Sequence, residues 1–293
     1  MLDQTDNSGL DKILAKRQAG KSVDPPKEEM TFLEHLEELR WHLMRSVIAV
    51  LVLAIVAFVS KQIVFGIIIL GPSRVDFITF QWLCQLAEVV KIDALCLDEM
   101  PFTIQSRQMT GQFVMHLTSS FVLGLVVAFP YLFWEMWRFI KPAMYSAEQK
   151  VARGTTFFVS SLFFLGISFG YFIIAPLSIN FLGSYQVDDS IINEFDLTSY
   201  VNTLIMLVLA CGIMFQLPVF AYFFSKIGLL TPEFMRSYRK HAFVSILVIS
   251  AIITPPDVLS QILVSVPVYG LYELSIKISA RVAKKYQEQV NKA

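Results

Sequence analysis

The sequence predicts an all-α integral membrane protein: six transmembrane helices, several proline-kinked, forming a curved wall, with both termini cytoplasmic. Three observations carry this. The 293-residue chain is 55% hydrophobic and 16% charged, with 25 Phe and a mean hydropathy of +0.58, too apolar for an ordinary soluble domain. Six apolar runs can be judged against the roughly 20 residues that cross a bilayer. Lys and Arg are concentrated on one side of those runs.

Residues 1–29 are polar, with Lys12, Lys16, Arg17, Lys21 and Lys27 among scattered acids and a Pro25-Pro26 pair near the end. No apolar core follows Met1, so this segment reads as a flexible cytoplasmic tail rather than a cleaved signal peptide. Residues 30–280 then form the six-span membrane domain, and 281–293 a cytoplasmic C-terminal tail.

Residues 31–45 lead into the first span. Leu36, Leu39 and Leu43 recur at helical spacing and make one apolar side. Glu34 and Glu38, four residues apart, share the other. Such a helix would lie along the membrane surface before turning into the bilayer, holding carboxylates at a fixed depth. The alternative is a solvated charged face that merely precedes a span.

The spans are expected at Leu43–Val59 (extending toward Leu70), Phe113–Phe133, Thr156–Ala175, Tyr200–Phe224, Ala242–Ile253 and Val258–Ile276. Gly71-Pro72 and Pro255-Pro256 mark loop starts. Asp196-Leu197-Thr198-Ser199 and Thr231-Pro232 read as helix N-termini, with Thr231 as cap and Pro232 in the first turn. Ser146 with Gln149 reads as a capping box opening span three, with Glu148 favourable in its first turn. Pro130, Pro176, Pro218 and Pro267 fall inside four spans and should bend them.

Orientation follows from charge. The N-terminal segment, the loop after span two (Arg138, Lys141, Lys150, Arg153), the loop after span four (Lys226, Arg236, Arg239, Lys240) and the C-terminal end carry all but four of the 24 basic residues. The exceptions are Lys61, Arg74, Lys91 and Arg107. The 181–197 loop has Asp188, Asp189, Glu194 and Asp196 and no basic residue. Both termini are therefore expected inside, and the 71–112, 181–197 and 255–257 loops on the exported side.

Several function classes find no support. With 24 basic and 24 acidic residues the net charge is zero, and nothing points to nucleic acid. Three Cys without CxxC, and four His without HExxH, suggest neither a metal site nor a cofactor. Cys84 and Cys96 share the 71–112 loop, where a disulfide is an open question, and Cys211 reads as packing. Polar residues at membrane depth are more informative: His116, Gln216, Thr254, Asp257, Ser260 and Gln261. Gln216 could bond carbonyls freed by Pro218 and Asp257 could cap span six; alternatively these residues offer a polar face to a partner helix.

Three segments carry a resemblance. Phe32-Leu-Glu-His-Leu-Glu-Glu-Leu-Arg40 resembles the N-terminal signature of TatC, the multispan subunit of the twin-arginine protein translocase. Trp137-Arg-Phe-Ile-Lys-Pro-Ala-Met-Tyr-Ser-Ala-Glu148 resembles that family's first cytoplasmic loop, and Thr254-Pro-Pro-Asp-Val-Leu-Ser-Gln261 its last exported turn. The resemblance covers roughly residues 31–280, except the 73–105 stretch. It implies a multi-pass inner-membrane protein, not an enzyme. Such a protein binds Arg-Arg signal peptides of folded substrates and recruits single-span TatA-like and TatB-like subunits for export driven by the proton-motive force. It also implies a homo-oligomer within a complex. On the matching positions it makes Glu38, Arg40 and Glu148 signal-binding residues, Gln216, Thr254 and Gln261 partner-docking or intramembrane polar residues, and Pro72, Pro142 and Asp257 structural. This chain departs from the pattern in having Gln216 where some members have Glu, and Trp41-His42 where basic residues are common.

The chemistry is coherent. A carboxylate accepts the planar fork of a guanidinium bidentately, whereas lysine supplies charge without the fork. Two separated carboxylates can each take one Arg of a pair. A secondary transporter would instead want inverted repeats and ionisable residues at the midplane. A membrane enzyme exchanging disulfides through Cys84 and Cys96 is a third reading.

Overall fold

The structure, a computed structural model, describes residues 32–90, 96, 99–140, 152–188, 190–254 and 258–290. The chain divides into two compact units, residues 1–43 and 44–293. Helix α1 spans Phe32–Val59. A short turn of helix at Lys61–Ile63, a π-helical segment at Val64–Ile69 and a 3-10 turn at Gly71–Ser73 follow it. Next come α2 (Ile78–Val90), β1 (Thr103–Gln105), α3 (Gly111–Ile140) and α4 (Ala152–Phe169). A second π segment, Gly170–Ile174, joins α4 to α5 (Ala175–Ser184). The chain continues through β2 (Glu194–Asp196), α6 (Leu197–Met214), α7 (Leu217–Lys226), α8 (Pro232–Ser237), α9 (Arg239–Ile253) and α10 (Val258–Val290).

Among the described residues, five helical stretches are long and apolar enough to cross a membrane: Leu36–Val59, Gly111–Ile140, Gly154–Ser184, Leu197–Lys226 and Ser260–Lys284. The sixth expected span is α9. Its 15 residues give about 22 Å at about 1.5 Å per residue, against a hydrocarbon core of about 30 Å. It begins at Arg239-Lys240, whose long side chains can reach past the apolar zone. The expected boundaries were short elsewhere too, because polar ends of a span continue as helix outside the apolar run.

The prolines act in two ways. Pro130 and Pro267 lie within continuous helices, as expected of kinks. Pro176 and Pro218 instead begin new helical segments, so the expected kinks there are junctions. Proline has no N–H to donate and fits the first turn, where that donor has no intrahelical partner. The π segment before Pro176 and the turn at Phe215-Gln216 before Pro218 absorb the change.

Hydroxyl and imidazole groups in spans two to four close the C-terminal end of span one. His116 Nε2 lies 3.0 Å from the Phe58 carbonyl oxygen and donates to it. The Tyr171 hydroxyl donates to Ile68 O at 2.8 Å, and the Tyr200 hydroxyl to Ile69 O at 2.7 Å. These carbonyls lie where helical segments end and lack the usual intrahelical partner. In lipid such groups must find protein donors.

Small residues set the helix contacts. A β-carbon at Gly124 would stand 2.6 Å from Ala54 N, and one at Gly166 would stand 2.7 Å from Cys211 O. Lipid is as apolar as leucine, so van der Waals contact rather than water exclusion drives helices together in membranes. Ile174, Val201, Leu207, Val264 and Val268 centre the largest buried cluster.

The 71–112 and 181–197 loops are more ordered than a loop reading implies. Cys84 and Cys96 form a disulfide, which answers the question their spacing left open. β1 and β2 pair in parallel, Thr103 opposite Glu194 and Gln105 opposite Asp196. Arg107 adds an ion pair to Glu194 at 2.9 Å. Asp196 caps α6 by accepting from the Thr198 amide at 3.2 Å, and accepts from the Arg107 amide at 3.0 Å. The Arg107 amide is the main cause holding its carboxyl below the ordinary aspartate range, with Thr198 adding to it. A lowered folded pKa stabilises the junction fully above the unfolded value of about 3.9 and stops doing so as pH falls through the folded value. The protection of the Arg107 and Thr198 amides, after correction for the intrinsic exchange rate at each pH, is therefore expected to fall selectively as pH drops below about 4, and Asp196→Asn to remove that dependence. Identical exchange profiles in the two proteins would refute this.

Candidate functional site

The first turns of α1 are helical, as the leucine spacing predicts. Leu36, Leu39 and Leu43 are exposed, which suits a face meant for lipid. Glu38 is half-exposed, with 37% of its side chain accessible. His42, one turn on, is buried, and its Nε2 is 3.9 Å from Glu38 Oε1. That distance is too long for a hydrogen bond. The Glu38 carboxylate thus keeps acceptor capacity for an incoming donor. Arg40 and Trp41 are exposed beside it in sequence.

Glu148, Pro142 and Asp257 lie outside the described residues, as do Ser146 and Gln149 of the expected capping box. Pro72 is buried in the 3-10 turn. Thr231 caps α8 by accepting from the Phe234 amide, with Pro232 in the first turn.

The intramembrane polar residues have partners. Gln216 is buried, and its Nε2 donates to Val159 O of α4 at 3.2 Å. Its side chain thus bonds across to span three rather than to carbonyls freed by Pro218, since the junction places it against the neighbouring helix. Thr254 is buried at the end of α9 and donates to Ser250 O at 2.9 Å. Gln261 Nε2 donates to Leu247 O at 3.2 Å, tying α10 to α9. The Ser260 hydroxyl meets Ser178 Oγ of α5 at 2.6 Å. Ser178 was not legible as its partner because only the packing of α5 on the hairpin brings the two together. Glu135 was missed as well. This acid in α3 is 2% exposed and accepts from the Tyr131 hydroxyl at 2.8 Å. Its signal was there: a lone carboxylate in an apolar helix.

The architecture and these positions meet in one comparison. The model of the TatC family, Sec-independent protein translocase protein, matches residues 34–267, a range that includes Glu38, Arg40, Gln216, Thr254 and Gln261. The chain belongs to the TatC family. It is 40% identical over 261 residues to the TatC of Blattabacterium sp. subsp. Periplaneta americana (strain BPLAN), covering 88% of this chain and 98% of that one. It is 30% identical over 260 residues to TatCy of Bacillus subtilis (strain 168), covering 89% and 92%. A crystal structure of the twin-arginine translocase receptor TatC superposes with a TM-score of 0.63 at 31% identity, covering 85% of this chain and all of that one. As a TatC-family member, the chain is a multi-pass membrane subunit at the core of the Sec-independent, twin-arginine protein translocase, and its role is transport in association with other Tat subunits.

Proposed function

We propose that this chain is the signal-binding subunit of an inner-membrane translocase, with both termini cytoplasmic, taking the Arg-Arg pair of signal peptides on Glu38 and Glu148. Arg40, two residues on in the same helix and on a different face of it, would reach the peptide backbone rather than the carboxylate. The observation that carries the reading is the half-exposed Glu38 carboxylate on the opening turns of α1, with the His42 ring nitrogen 3.9 Å away, beyond hydrogen-bond reach. Such a site binds and orients; no step needs a covalent intermediate. Crosslinking of the full chain in membranes to an Arg-Arg signal peptide and to its Lys-Lys form tests it. Strong labelling by the first and weak labelling by the second is expected, because only guanidinium supplies the fork. Equal labelling would sink the reading.

The α9–α10 hairpin is proposed to dock the single helices of TatA-like and TatB-like partners, within a complex that holds more than one copy of the chain. Gln261 is half-buried, and α9 exposes Val244, Val248 and Ile252. A polar pair between membrane helices is worth about 0.6–2 kcal/mol, enough to select register while allowing exchange. Gln261→Leu is expected to retain signal binding but reduce export and crosslinking to a single-span subunit. Thr254→Val should do so more mildly, because that hydroxyl is already satisfied by Ser250 O. Export and partner crosslinking both unchanged in Gln261→Leu would show that the residue only ties the hairpin together.

A further inference from the structure

A half-open cavity of about 620 Å³ lies among spans one to four and the turn after the first. That volume falls in the range of about 300–1,000 Å³ seen for ligand pockets. Its walls are apolar, Ile67, Val122, Phe172, Leu204 and Val208 among them. Both π-helical segments contribute lining residues, Ile67–Ile69 from one and Tyr171–Phe172 from the other. Such segments recur at functional sites.

Five polar side chains interrupt the apolar lining: Ser168, the Tyr171 hydroxyl already bonded to Ile68 O, and three that bear on the choice of ligand. Ser119 is 2% exposed, and its hydroxyl has no hydrogen-bond partner among the described residues. A buried donor in this state is costly unless something occupies the cavity and accepts from it. Arg74 and Asp76 also line the cavity; both are exposed. A ligand matching this set needs a long apolar body, an acceptor below its head, and a head carrying an anion and a hydrogen-bonding cation.

We propose that the cavity is a phospholipid site. An acyl chain fills the apolar walls, a glycerol ester carbonyl accepts from Ser119, the phosphate sits on Arg74, and a primary ammonium of the headgroup donates to Asp76. The guanidinium fork matches phosphate oxygens, and a carboxylate accepts from an ammonium. A trimethylated headgroup has no N–H for Asp76, so phosphatidylethanolamine is favoured over phosphatidylcholine. It is also favoured over phosphatidylglycerol, which brings no cation. A transmembrane helix, about 10–12 Å across with side chains, would fill the opening with apolar groups and leave all three polar groups unmatched.

Gly66 gives the test. It lines the cavity, a β-carbon there meets nothing within 4 Å, and its backbone is outside the left-handed region. Gly66→Trp should therefore fold and fill the space. The full chain is purified in detergent, stripped of lipid, and titrated with the three phospholipids of identical acyl chains, with bound lipid counted by native mass spectrometry. One phosphatidylethanolamine per chain is expected, held about tenfold more tightly than phosphatidylcholine, the effect of one charge-assisted hydrogen bond. Gly66→Trp should lose that lipid with an unchanged unfolding midpoint. Asp76→Asn should lose the preference for ethanolamine over choline, and Arg74→Gln should weaken all three lipids. If Gly66→Trp does not accumulate, Ile205→Trp fills the cavity from span four and is read the same way. Equal retention by the wild type and the filled variant, or equal affinity for the three headgroups, overturns the proposal. So does crosslinking of a single-span subunit or a signal peptide, instead of lipid, to a cysteine placed at Ile205.

Discussion

Glu38→Ala is expected to weaken binding of an Arg-Arg signal peptide by about 10- to 100-fold, the loss of one charge-assisted hydrogen-bonded pair worth about 1.5–3 kcal/mol. The Glu38→Ala/Glu148→Ala double variant should lose specific crosslinking altogether. The fold should survive. Glu38 is half-exposed on the opening turns of α1, and its contact with His42 at 3.9 Å is an i,i+4 pair worth only a few tenths of a kcal/mol. Glu38→Gln separates charge from shape, since the amide still accepts through its oxygen but carries no charge. It should fall between the wild type and Glu38→Ala. Photocrosslinking with a titrated signal peptide reads the affinity, and a thermal unfolding midpoint on the same samples reads the fold. Undiminished crosslinking in the double variant would exclude these two carboxylates as the site.

The parts of the fold that were legible in the sequence rest on local chemistry. The caps at Asp196 and Thr231 were readable because each is completed by an amide two or three residues on. The apolar runs were readable because lipid imposes a composition on every span. Residues whose partners lie far along the chain were not readable. Gln216 bonds Val159 O across 57 residues, and Tyr200 reaches Ile69 O across 131. The β1–β2 pair joins two three-residue strands some ninety positions apart, too short for alternation to show. Pro176 and Pro218 were read as kinks because a proline in an apolar run gives no sign of whether the helix bends or restarts. For the candidate site, the signature around Glu38 and Arg40 was legible as a resemblance, and the structure adds the helix, the exposure and the His42 neighbour. The cavity had no signal in sequence, since Arg74 and Asp76 come from the turn after span one and Ser119 from span two, and only the packing of spans two to four encloses them.

Gly166→Ala is expected to cost more stability than a methyl added at any other glycine in the contact between spans three and four. Gly166 and Gly170 stand four apart in α4 and the π segment after it, a G-x-x-x-G spacing, and both face α6. A β-carbon at Gly166 would be 2.7 Å from Cys211 O and 2.8 Å from Phe215 Cβ. The first of these is backbone, which cannot rotate away, so the two spans must separate. At Gly170 the nearest atoms are Cys211 Cβ and Val208 Cα, both at 3.0 Å, a smaller intrusion. At Gly212 the nearest is the tip of Ile167 at 2.8 Å, which can change rotamer. Overpacking a tight contact costs about 1–3 kcal/mol, while Gly→Ala within a helix returns about 0.5–1 kcal/mol. The expected order of destabilisation is therefore Gly166→Ala, then Gly170→Ala, then Gly212→Ala. Gly270→Ala in α10, where a β-carbon meets nothing within 4 Å, should be neutral or slightly stabilising. Cys211 reports the interface directly: it is a buried free thiol at the crossing, while Cys84 and Cys96 are bonded to each other. Heating the purified protein with a thiol-reactive dye should expose Cys211 at a temperature several degrees lower in Gly166→Ala than in the wild type, and no lower in Gly270→Ala. Coincident dye curves for these two variants would mean that spans three and four are not held together through the glycines.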